Sequence, residues 1–192
     1  MKLYLNPPSP YARKVVVVAH EVGLAGKIEV LKFDPWIDPP MLVDATPLCK
    51  VPALVDGDGS LIVESGTIAE FLMDRAGQPL PAGPARFEVL ARAAVAHGMM
   101  DAAFISVIEK RRPQEKQWQG WIDRQYRALT RTLPIIAVPP SGRFDLGDIT
   151  LACTLAYLDF RVGNLGWREI RADLADWLDS VSDRPSMVAS KP

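Results

Sequence analysis

Seven residues, Gln78-Pro-Leu-Pro-Ala-Gly-Pro84, can continue neither a helix nor a strand, and they divide this 192-residue chain into unequal parts. Before them the hydrophobic pattern alternates between short strands and helices. After them it reads as helices nearly to the end. The division predicts an α/β domain over residues 1–77, a linker over 78–84 and an all-helical domain over 85–192. Proline is frequent throughout, 17 of 192 residues, but it falls as punctuation between elements and never as a repeat.

The first part opens with an alternating strand over residues 2–5. A helix follows from about residue 10, with Ser9 as its N-cap and Pro10 at the first helical position, where a missing N–H costs nothing. The run of four valines from Val15 is β-branched, yet its caps and length favour a buried helix stopped by Gly23. Residues 28–33 form a second strand, and a strand–helix–strand unit implies parallel pairing with a right-handed crossover. Residues 34–47 read as a proline-rich connection. Two short apolar strands, 52–55 and 61–63, flank Asp56-Gly-Asp-Gly59, a strong hairpin signal. Ser65 is then placed to cap a helix that runs to about Arg75 and closes at Gly77. The order is βαβ, then a hairpin, then α: the thioredoxin-like order.

The second part predicts long helical segments over residues 86–111 and 114–132, the latter amphipathic around Trp118, Trp121, Ile122, Tyr126 and Leu129. Its clearest start signal is Phe144-Asp-Leu-Gly-Asp-Ile149. Asp145 serves as N-cap, Asp148 reaches back to it, and Phe144 and Ile149 stand where a hydrophobic staple closes. The helix that follows, to about residue 161, is apolar almost all round through Leu151, Leu155, Ala156, Leu158 and Phe160, which predicts a central position. A last helix is expected over 171–181.

Composition narrows the function classes. Twenty-two Lys plus Arg against 23 Asp plus Glu give a net charge of −1, which argues against a nucleic-acid binder relying on overall basic charge. Two cysteines, Cys49 and Cys153, make no disulfide framework, and no Cys/His spacing resembles a zinc site. The first ten residues, with Asn6, Pro7, Pro8 and Pro10, do not read as a signal peptide, and the apolar run over 15–19 is far too short to span a bilayer. The expectation is a cytoplasmic protein with no metal, no membrane and no nucleic-acid partner.

Four segments carry a resemblance: Ser9-Pro-Tyr-Ala-Arg-Lys14 after the first strand, Cys49-Lys-Val-Pro-Ala-Leu54, Glu64-Ser-Gly-Thr-Ile-Ala-Glu-Phe-Leu72, and the Asp145/Asp148 capping segment in a helical second domain. Each alone is weak. In this order and spacing the chain resembles a glutathione S-transferase over essentially its full length, and its motifs are most similar to bacterial serine-type, theta-like members. The first segment also resembles the Cys-Pro-Tyr-Cys site of glutaredoxins. Ser9 and Ala12 occupy the two cysteine positions, so dithiol exchange is excluded there.

The resemblance implies a glutathione transferase of detoxification, with glutathione as co-substrate and a small electrophile as acceptor. Ser9 would then be catalytic. A thiol like that of glutathione titrates near ~8.5 and is mostly protonated at neutral pH. A hydroxyl donor at the positive end of a helix stabilises the thiolate. As a bare residue, Ser9 reads more readily as a plain helix cap, and it is the resemblance that reverses this. Val51-Pro52 resembles the family's cis-proline step, which would turn the Val51 backbone toward the cysteinyl part of glutathione. Lys50 resembles a family contact to its backbone or glycyl end, and as a lysine it reads equally as a solvated side chain. Glu64 would receive the γ-glutamyl ammonium, and the Ser65 hydroxyl with the free N–H groups at its helix start would receive the carboxylate. For the acceptor pocket the candidates by position are Tyr11, Met100 and Phe104. His97, Cys153 and Asp148 read as structural, and Cys49, where the family commonly has glycine, reads as an inert small residue or a thiol open to mixed-disulfide formation with glutathione.

The family further implies a homodimer, with each thioredoxin-like domain packed on its partner's helices. Two other functions fit the same residues: a glutathione-dependent isomerase or dehalogenase, and a non-catalytic binding or regulatory protein that kept the fold.

Overall fold

The computed structural model describes all 192 residues. The chain forms two compact units, residues 1–86 with 184–192, and residues 87–183. The division expected from sequence put everything after residue 85 with the helices. The last nine residues instead pack with the first unit.

The first unit is built on a four-stranded sheet in the order β2-β1-β3-β4. Strand β1 (Lys2–Leu5) runs parallel to β2 (Glu29–Lys32) and antiparallel to β3 (Ala53–Val55), which pairs antiparallel with β4 (Leu61–Ile62). The crossover between the parallel strands is α1 (Pro10–Glu21), the valine-rich segment, whose Val15, Val17 and Val18 are buried. The β3–β4 turn closes through Asp56 N–H to Ser60 C=O (3.0 Å), with Gly59 at φ +88°, a left-handed conformation that glycine adopts without cost. Helix α3 (Ser65–Arg75) packs beside α1. The βαβ–hairpin–α reading therefore holds.

The connection over 34–47 contains more structure than expected. A single 3₁₀ turn, Pro35–Ile37, starts on Asp34, whose side chain accepts from Trp36 N–H (3.1 Å). It is followed by α2 (Pro40–Ala45). Leu42 of α2 is fully buried in a cluster with Tyr4 and Ala53, flanked by Phe33, whose ring stacks on Tyr4 at 5.8 Å. Alternation along a strand puts Leu3 and Leu54 on the other face of the sheet from Tyr4 and Ala53. Both faces are thus covered, which is why the short strands carry consecutive buried residues.

In the second unit α4 (Pro84–Glu109) is followed by α5 (Gln119–Thr132), α6 (Leu146–Arg161), the short α7 (Trp167–Ile170) and α8 (Ala172–Ser182). Helix α5 begins five residues later than expected, after a 3₁₀ turn at Gln114–Lys116, and Trp118 at its cap is exposed while Ile122 and Leu129 are buried. Helix α6 is buried from Leu146 to Leu155 and again at Tyr157 and Leu158, although Phe160, counted among its apolar residues, faces solvent. Its start is the predicted capping box. Asp145 accepts from Gly147 N–H (2.9 Å) and Asp148 N–H (3.2 Å), and Asp148 Oδ2 accepts from Asp145 N–H (3.2 Å). Two arginines complete it. Arg92 of α4 donates to both carboxylates, at 2.6 Å to Asp145 and 2.9 Å to Asp148, and Arg143 donates to Asp148 at 2.8 Å. Burial raises the cost of charge on Asp145, but the bonds from Arg92 and from the Asp148 amide outweigh it and lower its pKa.

The chain ends in α9 (Pro185–Ala189), an element the sequence reading did not anticipate, which packs against α1.

Candidate functional site

Strand register gathers three of the sequence-predicted segments at one edge of the sheet. Tyr4 pairs with Ala53, and Leu54 pairs with Ile62. Leu5 closes β1, Pro52 directly precedes β3 and Glu64 follows β4 by two residues, so all three stand at the same end of the sheet. Beyond them lie Asn6, Val51 and Ser65. The chain then turns at residues 6–9, closed by Ser9 N–H to Asn6 C=O (2.9 Å), and enters α1. Helices α1 and α3 both begin at this edge, so both positive dipole ends are there.

Ser9 has the backbone of an N-cap (φ −76°, ψ 120°), and its Oγ accepts from Ala12 N–H at 3.3 Å. Its carbonyl accepts from Arg13 N–H at 3.0 Å, the first bond of the helix. The hydroxyl hydrogen has no acceptor in the chain. A cap uses the oxygen and leaves the proton for another partner.

The Val51-Pro52 peptide is cis, as the resemblance implied. Neither the N–H nor the carbonyl of Val51 is hydrogen-bonded within the chain. A donor and an acceptor are therefore presented side by side at the sheet edge, the pairing that an extended peptide requires. Lys50 beside it is exposed and makes no ion pair.

Helix α3 begins differently from expectation. Its N-cap is Glu64, not Ser65. Glu64 Oε1 accepts from Gly66 N–H (3.0 Å) and Thr67 N–H (3.1 Å), while the buried Ser65 hydroxyl donates to Oε2 (3.4 Å). Only one free amide of the first turn, that of Ser65, remains for a ligand. Thr67 is a neighbour that sequence reasoning missed: its hydroxyl lies 3.5 Å from Glu64 Oε1. Position three after a capping residue was its only signal.

Cys49 stands in the left-handed region at φ +46°, a conformation that favours glycine, which accounts for the glycine common there in the resembling family. Its thiol donates to Pro35 C=O at 3.6 Å. Desolvation, together with the Asp38 carboxylate, pushes the thiol pKa up. The mixed-disulfide role is thereby disfavoured, since the thiolate is the nucleophile. Iodoacetamide is expected to alkylate Cys49 several-fold more slowly than free glutathione at the same neutral pH, measured by intact mass.

Of the residues expected to line an acceptor pocket, Tyr11 lies on α1 of the first unit and is partly buried. Met100, on α4, is fully buried and offers no surface to a solute, and Phe104 one turn later is partly exposed. His97 Nε2 lies 3.6 Å from Asp101 one turn on, in keeping with its structural reading. The helical unit has a cavity of its own, about 280 Å³, bordered by Ala91, Val95, Ile135 and Leu151. Its two arginines, Arg92 and Arg143, are committed to the capping box, and none of the predicted contact residues lines it. Nowhere do three His, Cys, Asp or Glu side chains converge as a metal ion would require.

Comparison with known proteins agrees with this geometry. Residues 8–75 match the family model described as glutathione S-transferase, N-terminal domain, and residues 119–180 match glutathione S-transferase, C-terminal domain. The Escherichia coli K12 protein YibF, described as an uncharacterized GST-like protein, is 30% identical over 201 residues, covering 100% of this chain and 98% of that protein. A glutathione transferase family member from Pseudomonas fluorescens Pf-5, solved with bound glutathione, matches at a TM-score of 0.93 and 37% identity over 100% of this chain and 98% of its own. The same family member with bound S-(propanoic acid)-glutathione matches at a TM-score of 0.89 and 37% identity, over 100% and 99% of the two chains. With both parts of the chain matched, and relatives alike over their whole length, this protein belongs to the glutathione S-transferase superfamily.

Proposed function

We propose that the protein is a glutathione transferase that uses Ser9 to hold the glutathione thiolate and transfers that sulfur to a small electrophile. The observation that carries this is the Ser9 hydroxyl: its oxygen is spent on the helix cap, its proton is not, and it stands at the sheet edge shared by Val51, Glu64 and Ser65. In this reading the cysteinyl backbone of glutathione pairs with the free N–H and C=O of Val51. Glu64 receives the γ-glutamyl ammonium, the Ser65 N–H receives the adjacent carboxylate, and Lys50 meets the glycyl end.

The chemistry balances simply. The bound thiol releases its proton to solvent. The thiolate, stabilised by the Ser9 O–H and the start of α1, forms a carbon–sulfur bond at the electrophilic carbon. The displaced pair leaves with a leaving group or moves onto an acceptor atom that solvent protonates. The conjugate found in the Pseudomonas fluorescens relative is a product of this type in form.

The reading includes a cytoplasmic homodimer. It is supported by an uncharged, solvent-facing stripe along α4 at helical spacing, Phe87, Ala91, Ala94, Val95 and Gly98. Light scattering is expected to give twice the monomer mass of 21.1 kDa.

Calorimetric titration with glutathione tests the site. Wild type is expected to bind, and Glu64→Gln, which keeps an oxygen for the cap but loses the charge, is expected to weaken binding roughly 10- to 100-fold. Absence of binding by wild type overturns the reading. One glutathione consumed per acceptor turned over supports transfer; turnover without consumption replaces it with isomerase chemistry.

A further inference from the structure

The last nine residues return to the first unit and grip α1 at both ends. At its C-terminal end Glu21 accepts a bidentate pair from Arg184, at 3.0 and 2.6 Å, together with the Ser186 hydroxyl. Burial disfavours the charge on Glu21, but the Arg184 and Ser186 bonds outweigh it and lower the carboxyl pKa. At the other end the Arg13 guanidinium donates to Ser190 Oγ and to Met187 C=O, both at 3.3 Å. Met187 itself is fully buried, so α9 is seated rather than resting on the surface.

Arg13 is also the residue whose amide closes the first turn of α1 on the Ser9 carbonyl. A path of two hydrogen-bonded steps therefore runs from α9 to Ser9: Met187 and Ser190 to the Arg13 side chain, and the Arg13 amide to Ser9. Between them Ala12 N–H holds the Ser9 hydroxyl oxygen. The first turn of a helix is where fraying begins, since its amides lack partners one turn back. Clamping Arg13 from outside restrains that turn, and with it the direction in which the Ser9 O–H points.

We infer that the segment 184–192 is a positioning element for Ser9, acting through Arg13, and that the N-terminal unit is complete for thiolate stabilisation only when this segment is seated on α1. The inference rests on the Ser9 reading above. Arg13 and Ser190 are positioning residues here, with no contact to glutathione assigned to them.

The test uses the full-length protein and glutathione, comparing wild type, Arg13→Gln, Ser9→Ala and the double variant. Three quantities are read: glutathione affinity by calorimetry, the pKa of the bound thiol from its ultraviolet thiolate band, and amide exchange at Ala12 and Arg13. Arg13→Gln is expected to raise the bound-thiol pKa by about half to one unit, a roughly 3- to 10-fold loss of thiolate below the pKa. Affinity should change less than about threefold, because the Val51 and Glu64 contacts are untouched. The Ala12 and Arg13 amides should exchange faster, and in the Ser9→Ala background Arg13→Gln should shift the pKa no further. A lowered melting temperature with an unmoved pKa would overturn the inference and leave Arg13 a packing residue. If Ser9→Ala itself leaves the thiol pKa unchanged, the Ser9 reading fails, and the exchange data still decide whether the tail orders the turn. Should Arg13→Gln not fold, Ser190→Ala removes one acceptor from the same clamp, and the same readings decide at smaller amplitude.

Discussion

Asp148→Ala is expected to destabilise the helical unit by about 3 kcal/mol, the low end of the cost of breaking a buried ion pair. Asp148 is 1% exposed and is the shared acceptor for Arg92, Arg143 and the Asp145 amide. Removing it takes one half of the capping box and leaves two guanidinium groups without their inner partner. Both arginines are about a third exposed and regain water, which keeps the loss from rising higher. For a protein of this size the shift in melting temperature is then roughly 6–12 °C. Asp148→Asn keeps an acceptor for Asp145 N–H and should lose about half as much. Thermal melts of the two variants separate charge from cap: equal losses would mean that the cap bond contributes nothing, and an unchanged Asp148→Asn that the arginines contribute nothing.

Ser9→Ala is expected to lower kcat/KM for conjugation roughly 10- to 100-fold near neutral pH, the equivalent of losing one charge-assisted hydrogen bond of ~1.5–3 kcal/mol. The loss should shrink as pH rises above about 9, where free thiol ionises unaided. KM for glutathione should move little, since Ser9 is assigned to the sulfur and the rest of the molecule to Val51, Glu64 and Ser65. The same change removes the Ala12 cap bond and should cost about 1 kcal/mol of stability. A parallel loss at every pH would point to helix disruption alone.

Signals confined to a few residues were the ones the sequence made legible. Ser9 with Pro10, Gly23, the Asp56–Gly59 turn and the Asp145/Asp148 box each act on their immediate neighbours, and each was found where expected. The three motifs of the candidate site come to one end of the sheet for the same reason, because each is local and flanks a strand end there. What was missed depends on distant partners. Helix α2 is six residues long, lies between prolines and exists because Leu42 fills the face of the sheet beneath Tyr4. Helix α9 is five residues long, and its partners Arg13 and Glu21 lie more than 160 positions away. No periodicity in so short a segment can announce such contacts. The start of α3 was misassigned by one residue because Ser65 is the commoner capping type, whereas Glu64 has the reach to take both the Gly66 and Thr67 amides.

The most direct test of the central claim is the pKa of the bound glutathione thiol, followed by its ultraviolet thiolate band across pH in wild type and Ser9→Ala. The account predicts a wild-type value one to two units below the free thiol's ~8.5, corresponding to about 1.4–2.7 kcal/mol of thiolate stabilisation, and a return toward the free value in Ser9→Ala. Bound glutathione with the same thiol pKa in both proteins would contradict it, and would reduce Ser9 to a helix cap.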